Sequence, residues 1–146
     1  MLTETNKAVS RRFFEEVFGK GNLAVADEIV DKDHINGGPN NPPGLPPGLE
    51  GTKQLVTIYR NAFPDIRFTI DEQIAEGDKV MTRWSAHGTH GGELAGIPAT
   101  GKTSTVTGIV IDRLVNGMIA ESWAIFDQFG MLQQLGVIPM PEQAGK

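Results

Sequence analysis

The residue that first suggests chemistry is Asp127, an acid in the otherwise largely apolar segment ESWAIFDQFG. Because side chains on a strand alternate between two faces, Trp123, Ile125 and Asp127 are predicted to share one face. An unpaired carboxylate is costly to bury, so such an acid is hydrogen-bonded, stays protonated, or lines a cavity that a ligand enters. Hydrogen-bonded acids of this kind are more common than catalytic ones, and the segment leaves both interpretations open. The chemistry that Asp127 offers is that of a general base.

The neighbours of Asp127 depend on the register of the hairpin at VNG, residues 115–117. A two-residue loop pairs Val115 with Met118. Asp127 then shares its face with Val106, Gly108, Val110 and Asp112. A three-residue loop pairs Leu114 with Met118 instead. The shared face then becomes Thr105, Thr107, Ile109, Ile111 and Arg113. We favour this second register because an apolar surface with several polar points is the composition of a small-molecule pocket. Its arginine also supplies a cation, although it can equally extend into solvent.

Other polar side chains could donate protons or stabilise negative charge beside Asp127. They are His34, His87, His90, Arg83 and Arg113. His87 and His90 lie three residues apart where a strand gives way to glycines, so they are predicted to face opposite sides. The chain also lacks a Glu-x-x-His helix or similar spacing, and we expect no metal site. Since phosphate-loop and hydrolase-elbow patterns are absent as well, what remains is acid–base chemistry without a cofactor.

The composition limits the class of protein further. The 146 residues are expected to form one domain, 1–146, with 39% hydrophobic and 21% charged residues. Thirteen basic and eighteen acidic residues give a net charge of −5, and no basic stripe marks a nucleic-acid partner. There is no cysteine, hence no disulfide or thiolate chemistry. No apolar run suits a signal peptide or a membrane span, so we expect a cytoplasmic protein.

The elements that must position these residues follow from hydrophobic periodicity. Helical spacing predicts helices over Thr3–Phe18, Asn22–Val30 and Gly51–Ala62. Alternation predicts strands near Ile66–Ile74, Lys79–His87, Thr103–Leu114 and Met118–Gln128. Between them, Asn36–Gly48 is rich in proline and glycine and is either a lid over a site or an irregular surface loop. Helices followed by an antiparallel meander predict an α+β domain, with a curved sheet wrapped on its helices.

From Arg83 to Gly136 the sequence resembles the SnoaL-like polyketide cyclases, also called ester cyclases. The segments ADEIVDKDHIN, PPGLEGTKQLV and AFPDIRFTIDEQIAEGDKV extend the resemblance over nearly the whole chain. It implies the cone-shaped α+β fold of the nuclear transport factor 2-like superfamily, in which a strongly bent sheet and the N-terminal helices enclose a pocket. It also implies a hydrophobic small-molecule substrate and a homodimer or higher homo-oligomer formed through the outer face of the sheet.

The resemblance implies roles for particular residues as well. Family cyclases close a ring by an intramolecular aldol condensation without a cofactor, and their aspartate base on the final strand corresponds to Asp127. The histidine that accompanies it is replaced here by Arg113, so His34 and His90 are the substitute acids. The predicted substrate-binding residues are Trp123, Trp84, Arg83, His87, Thr105 and Thr107. Alternative functions are another SnoaL-like activity, such as a hydroxylase, isomerase or hydrolase, or a non-catalytic binding module.

Overall fold

The computed structural model describes residues 2–139. Within that range the helices are α1 Leu2–Arg12, α2 Leu23–Ile29, α3 Gly48–Ala62 and α4 Gln128–Gln134. The strands are β1 Val30–Gly37, β2 Arg67–Glu76, β3 Lys79–Thr89, β4 Thr103–Val115 and β5 Met118–Phe126. They form a mixed sheet in the order β1-β5-β4-β3-β2, in which β1 runs parallel to β5 and the other neighbours are antiparallel. The predicted α+β class is confirmed.

The two faces of the sheet differ in burial, as the alternation along β4 shows. Even-numbered residues of β4, such as Val106, Val110 and Leu114, are buried beneath the helices. Odd-numbered residues such as Ile109 and Ile111 are about 40% exposed on the opposite face. We call these the inner and the outer face. The period of two that predicted the strand therefore separates a core side from a solvent side.

The long N-terminal helix changes its hydrogen bonding part-way along. Residues Phe13–Phe18 form a π-helical segment directly after α1, closed by a bond from the Gly19 amide to the Phe14 carbonyl at 2.8 Å. Phe14 and Val17 are buried there. Because a π-helical segment shifts the side chains that follow it relative to an α-helix, it aims successive phenylalanines at the inner face.

Two elements differ from the sequence-based prediction. Strand β1 occupies residues predicted to be partly helix and partly loop, because its sequence VDKDHING buries only Val30 and His34 and shows little alternation. The final strand was predicted to run to Gln128, but β5 ends at Phe126 and α4 follows at once. Asp127 is the N-cap of α4, where it satisfies a free amide of the first turn.

The hairpin combines features of both predicted registers. Asn116 and Gly117 have φ angles of 52° and 78°, so the loop has two residues, and Val115 pairs with Met118. The favoured three-residue loop is therefore wrong. A β-bulge then inserts Ala120, because Leu114 pairs with Ile119 whereas Arg113 pairs with Glu121. Beyond the bulge Trp123 pairs with Ile111. Trp123 therefore lies on the face that the three-residue loop predicted for it.

No helix within residues 2–139 is long and apolar enough to cross a membrane.

Candidate active site

A cavity of about 150 Å³ lies against the inner face of the sheet. Its floor comes from β3, β4 and β5, and its other walls come from the π-helical segment, β1 and α3. Most of the lining is aromatic: Phe13, Phe14, Phe18, Tyr59, Phe63, Phe68, Trp84 and Phe126. Many of these rings touch one another, with Phe68 within 4.7 Å of Phe18 and 5.6 Å of Trp84 between ring centroids. The cavity therefore suits a flat, apolar ligand.

Asp112 places a carboxylate on the wall of this apolar cavity and is only 4% exposed. Its position on β4 pairs it with Ser122 of β5, whose hydroxyl donates to Asp112 Oδ1 at 2.6 Å. Ser10 of α1 donates to the other oxygen, Oδ2, at 2.9 Å. Burial raises the Asp112 pKa to about 6, and the two serine hydroxyls oppose the shift without cancelling it. A pKa in this range suits a group that must take up and release a proton near neutral pH.

His34 extends the polar cluster across the sheet to α3. It projects from β1, the neighbour of β5, and its Nε2 lies 2.9 Å from Ser122 Oγ. Its Nδ1 lies 2.9 Å from the hydroxyl of Thr52, a buried residue of α3. Desolvation lowers the His34 pKa to about 4, against weaker opposing effects of Asp31 and Glu121. The imidazole is therefore neutral at pH 7.

The direction of each hydrogen bond in this cluster follows from the charge of Asp112. An ionised carboxylate can only accept, so the hydroxyls of Ser10 and Ser122 both donate to it. Ser122 has then committed its one proton, so His34 Nε2 must donate to Ser122, and Nδ1 accepts from Thr52. A protonated Asp112 can donate to Ser122 instead. Because a hydroxyl oxygen has two lone pairs, Ser122 Oγ can accept this bond together with the one from His34 Nε2, so the cluster accommodates either charge state without a change of the His34 tautomer.

Comparison with known proteins identifies the family. A model of the SnoaL-like polyketide cyclases matches residues 8–135. The chain belongs to the SnoaL-like polyketide cyclase family.

Individual relatives and solved structures support the assignment to the SnoaL-like family. Aklanonic acid methyl ester cyclase DnrD of Streptomyces peucetius is 29% identical over 132 residues, covering 89% of this chain and 90% of that protein. Among solved structures, IdmH of Streptomyces antibioticus is 32% identical, with a TM-score of 0.78 and coverage of 90% of this chain and 98% of that one. TsrD of Streptomyces laurentii is 26% identical, with a TM-score of 0.83 and coverage of 92% and 97%. The family and the fold inferred from sequence motifs are therefore confirmed.

Asp127, the acid that the family pattern singled out, lies away from the cavity of this SnoaL-like protein. Its side chain is exposed, and its Oδ1 accepts a hydrogen bond of 2.9 Å from the Gly130 amide at the start of α4. The bulge at Ala120 turns the end of β5 so that Trp123 and Ile125 face outward, and they are 50% and 43% exposed. The expectation that Asp127 and Trp123 line the pocket is therefore not met.

The predicted cations and threonines also belong to the outer face. Arg113 bonds Glu121 at 3.1 Å, and Arg83 bonds Glu72 at 3.3 Å. Thr105 and Thr107 are exposed on the same face. The face that we predicted to line a pocket, because it carries several polar residues, is thus the outer face. Its apolar residues, such as Ile109 and Ile111, are the ones that the helices leave uncovered.

The remaining predicted residues divide between the cavity and the neighbouring loop. Trp84 and His34 line the cavity, and His87 lies at its edge with Nδ1 2.9 Å from the Thr105 hydroxyl. His90 is fully buried elsewhere, in a loop where its Nδ1 accepts from the Thr100 amide at 3.2 Å and its ring makes a tilted contact with the ring of Phe63. The structure therefore brings His34 and Trp84 together at the site and leaves His90 apart. Within residues 2–139, no group of three or more histidine and acidic side chains could hold a metal ion.

Several residues of the cavity wall and of its polar cluster were missed by sequence reasoning. Asp112 had a detectable signal, because it stands among Val106, Val110 and Leu114 in the alternation of β4 just as Asp127 stands among apolar residues. Ser10 and Thr52 carried no such sequence signal, since a polar residue on an amphipathic helix is normally predicted to face solvent. The Pro-rich loop contributes Asn40 and Asn41 to the lining, which is compatible with the lid hypothesis.

Proposed function

We propose that this protein is a cytoplasmic enzyme that catalyses cofactor-independent, intramolecular aldol ring closure of a polyketide-type substrate, with Asp112 as its base. The observation that carries the proposal is a nearly buried carboxylate on the wall of an aromatic cavity, with its pKa raised to about 6. The family supports it, as does the relative named for acting on aklanonic acid methyl ester.

The reaction needs only a proton acceptor and a fixed geometry. Asp112 removes a proton from the carbon next to a ketone or ester carbonyl, and the resulting enolate carbon attacks a second carbonyl of the same molecule. A carbon–carbon bond forms, and the new alkoxide recovers the proton from Asp112. No atom is gained or lost. Holding both ends of the molecule in one aromatic cavity supplies the proximity that the ring closure requires.

The hydrogen-bonded cluster fits the demands of this cycle. While the enolate exists, Asp112 is neutral and donates to Ser122 Oγ, which accepts this bond beside the one from His34 Nε2, so His34 keeps its tautomer. When Asp112 returns its proton, the Ser122 hydroxyl again donates to the carboxylate. Ser10 holds the second carboxylate oxygen throughout, so the base keeps its orientation in both states.

The test compares the same substitution, aspartate to asparagine, at positions 112 and 127. Wild type, Asp112→Asn and Asp127→Asn are incubated with aklanonic acid methyl ester, and the ring-closed product is measured by chromatography. We expect Asp112→Asn to lose about 10²- to 10⁴-fold in rate, the usual contribution of a general base, and Asp127→Asn to retain wild-type activity. The reverse result would assign the base to Asp127 and refute the proposal. No turnover by wild type would refute ring closure of this substrate.

A second assay tests proton removal without a natural substrate. The methyl hydrogens of 2-acetylnaphthalene, which flank its carbonyl, exchange with deuterium oxide when a base forms the enolate, and NMR follows the loss of their signal. We expect wild type to accelerate the exchange and Asp112→Asn not to do so. Binding without acceleration would identify a non-catalytic binding module.

The outer face supports assembly with a second copy of the chain. Ile109, Ile111, Trp123 and Ile125 are each 40–50% exposed on adjacent strands and form one apolar patch. Ion pairs between Arg113 and Glu121 and between Arg83 and Glu72 flank it. We therefore propose a homo-oligomer formed through this face.

A further inference from the structure

Tyr59 reaches the same cavity from α3, at some distance from the Asp112 cluster. It lies seven residues after Thr52, so the two side chains share one face of the helix two turns apart. Its ring makes an edge-on contact with Phe126 at 6.0 Å and a tilted contact with Phe18 at 6.4 Å between centroids. Aromatic side chains therefore fix the position of the phenol.

The hydroxyl of Tyr59 has no hydrogen-bond partner among residues 2–139. Asp112, Ser122, His34 and Thr52, by contrast, are all joined in the polar cluster. The Tyr59 hydroxyl is not one of the fully enclosed unpaired side-chain atoms of the described residues, so it is accessible to a ligand, and a tyrosine hydroxyl in a largely apolar setting usually bonds a partner. Burial raises the Tyr59 pKa to about 12, so the hydroxyl remains a protonated donor throughout the physiological range.

Two independent paths give the spacing between Tyr59 and the cluster. Along α3, seven residues at the helical rise correspond to about 10 Å from Thr52. Along β5, Phe126 lies four residues beyond Ser122, or about 13 Å at the rise of a strand. The backbone positions that carry the two polar sites thus lie about 10–13 Å apart along the cavity wall, a separation comparable to the length of a few fused aromatic rings.

We infer that Tyr59 binds the substrate by donating its hydroxyl hydrogen to a carbonyl or phenol oxygen on the ring system, remote from the carbon that Asp112 deprotonates. This inference rests on the proposed function and narrows its substrate. The substrate is a flat molecule of fused rings with an acceptor oxygen at the end opposite its acidic C–H group. A pure hydrocarbon end would leave the hydroxyl unpaired, so the site discriminates against it.

The test uses Tyr59→Phe, which keeps the ring and removes only the hydroxyl. Two probes differ by one oxygen: 6-acetyl-2-naphthol carries a phenol oxygen at the end opposite its acetyl group, and 2-acetylnaphthalene lacks that oxygen. Dissociation constants are measured by quenching of the fluorescence of Trp84, which lines the cavity, in a Trp123→Phe background. We expect Tyr59→Phe to weaken binding of the naphthol about 2- to 10-fold, the range of a single hydrogen bond, and to leave binding of 2-acetylnaphthalene unchanged.

Stability provides a further readout that separates recognition from a structural role. Because the hydroxyl bonds nothing in residues 2–139, Tyr59→Phe should melt at the same temperature as wild type or slightly above it. Equal affinities of wild type and variant for the naphthol, or an equal loss for both probes, would overturn the inference. A clear fall in melting temperature would also count against it, since that would indicate a structural hydrogen bond.

The outcomes for Tyr59 and Asp112 can be told apart. Selective loss of naphthol binding in Tyr59→Phe, with no exchange catalysed by wild type, would uphold the recognition site and refute the proposed chemistry. Catalysed exchange that depends on Asp112, with no effect of Tyr59→Phe on either probe, would do the opposite.

Discussion

Replacing Asp112 by asparagine should change how the stability of the protein depends on pH. Burial raises the pKa of Asp112 from 3.8 to about 6, so the folded state holds its proton more tightly than the unfolded state. The corresponding stabilisation is fully present below pH 3.8 and is lost as the pH rises to about 6. The pKa difference corresponds to about 3 kcal/mol in the free energy of unfolding.

His34 contributes the opposite dependence over nearly the same range. Its pKa falls from 6.5 in the unfolded state to about 4 in the folded state, so its stabilisation is present above pH 6.5 and is lost on acidification. The magnitude is again about 3 kcal/mol. In wild type the two contributions therefore largely cancel between pH 4 and 6.5. The Asp112→Asn substitution removes the contribution of Asp112, so the pH dependence due to His34 becomes measurable.

The assay is urea denaturation followed by far-UV circular dichroism from pH 4 to 7.5 at constant ionic strength. The difference in the free energy of unfolding between Asp112→Asn and wild type should increase in favour of Asp112→Asn by about 3 kcal/mol from pH 4 to pH 7. Asp127→Asn, the same change at an exposed helix cap, should track wild type because asparagine caps as well as aspartate. Adding His34→Gln to Asp112→Asn should flatten the profile again. A difference between Asp112→Asn and wild type that stays constant with pH would refute the burial argument.

Two further substitutions test the cluster and the outer face. Ser122→Ala leaves Asp112 Oδ1 and His34 Nε2 without the partner they share, so it should cost about 2–4 kcal/mol in chemical denaturation. Ser85→Ala is its matched control, because Ser85 also bonds an aspartate at 2.6 Å but on the exposed face, and a cost equal to that of Ser122→Ala would refute the role of burial. Trp123→Glu should convert the oligomer to monomer in sedimentation velocity while leaving the binding of 2-acetylnaphthalene intact. A wild type that already sediments as a monomer would contradict the proposed interface.

The fold was largely predictable because local sequence patterns indicate most of its helices and strands. The change from helical to alternating period after Pro64 predicted helices followed by strands, and the Asn116–Gly117 pair located the hairpin. Strand β1 was not predictable in the same way. It pairs with β5, some ninety positions along the chain, and buries too few side chains to leave an alternating pattern.

The candidate site was less predictable because its contacts are remote in sequence. Ser10 and Asp112 are separated by 102 positions, and His34 and Ser122 by 88. Such polar residues carry no sign of their partners until the helices are placed on the sheet. The sequence identified the kind of chemistry, an acid among apolar neighbours, but it led to Asp127, although Asp112 stands in a similar pattern on β4.

The bulge at Ala120 decides between these two acids and also builds the site. With a two-residue loop and no bulge, Asp112 would stand opposite Glu121, placing two carboxylates side by side, which is unfavourable. The extra residue instead sets Asp112 opposite Ser122 on the inner face and Arg113 opposite Glu121 on the outer face. One inserted residue thus supplies a hydroxyl donor to the buried acid and an ion pair to the surface. It also turns the end of β5 so that Asp127 leaves the cavity wall and caps α4.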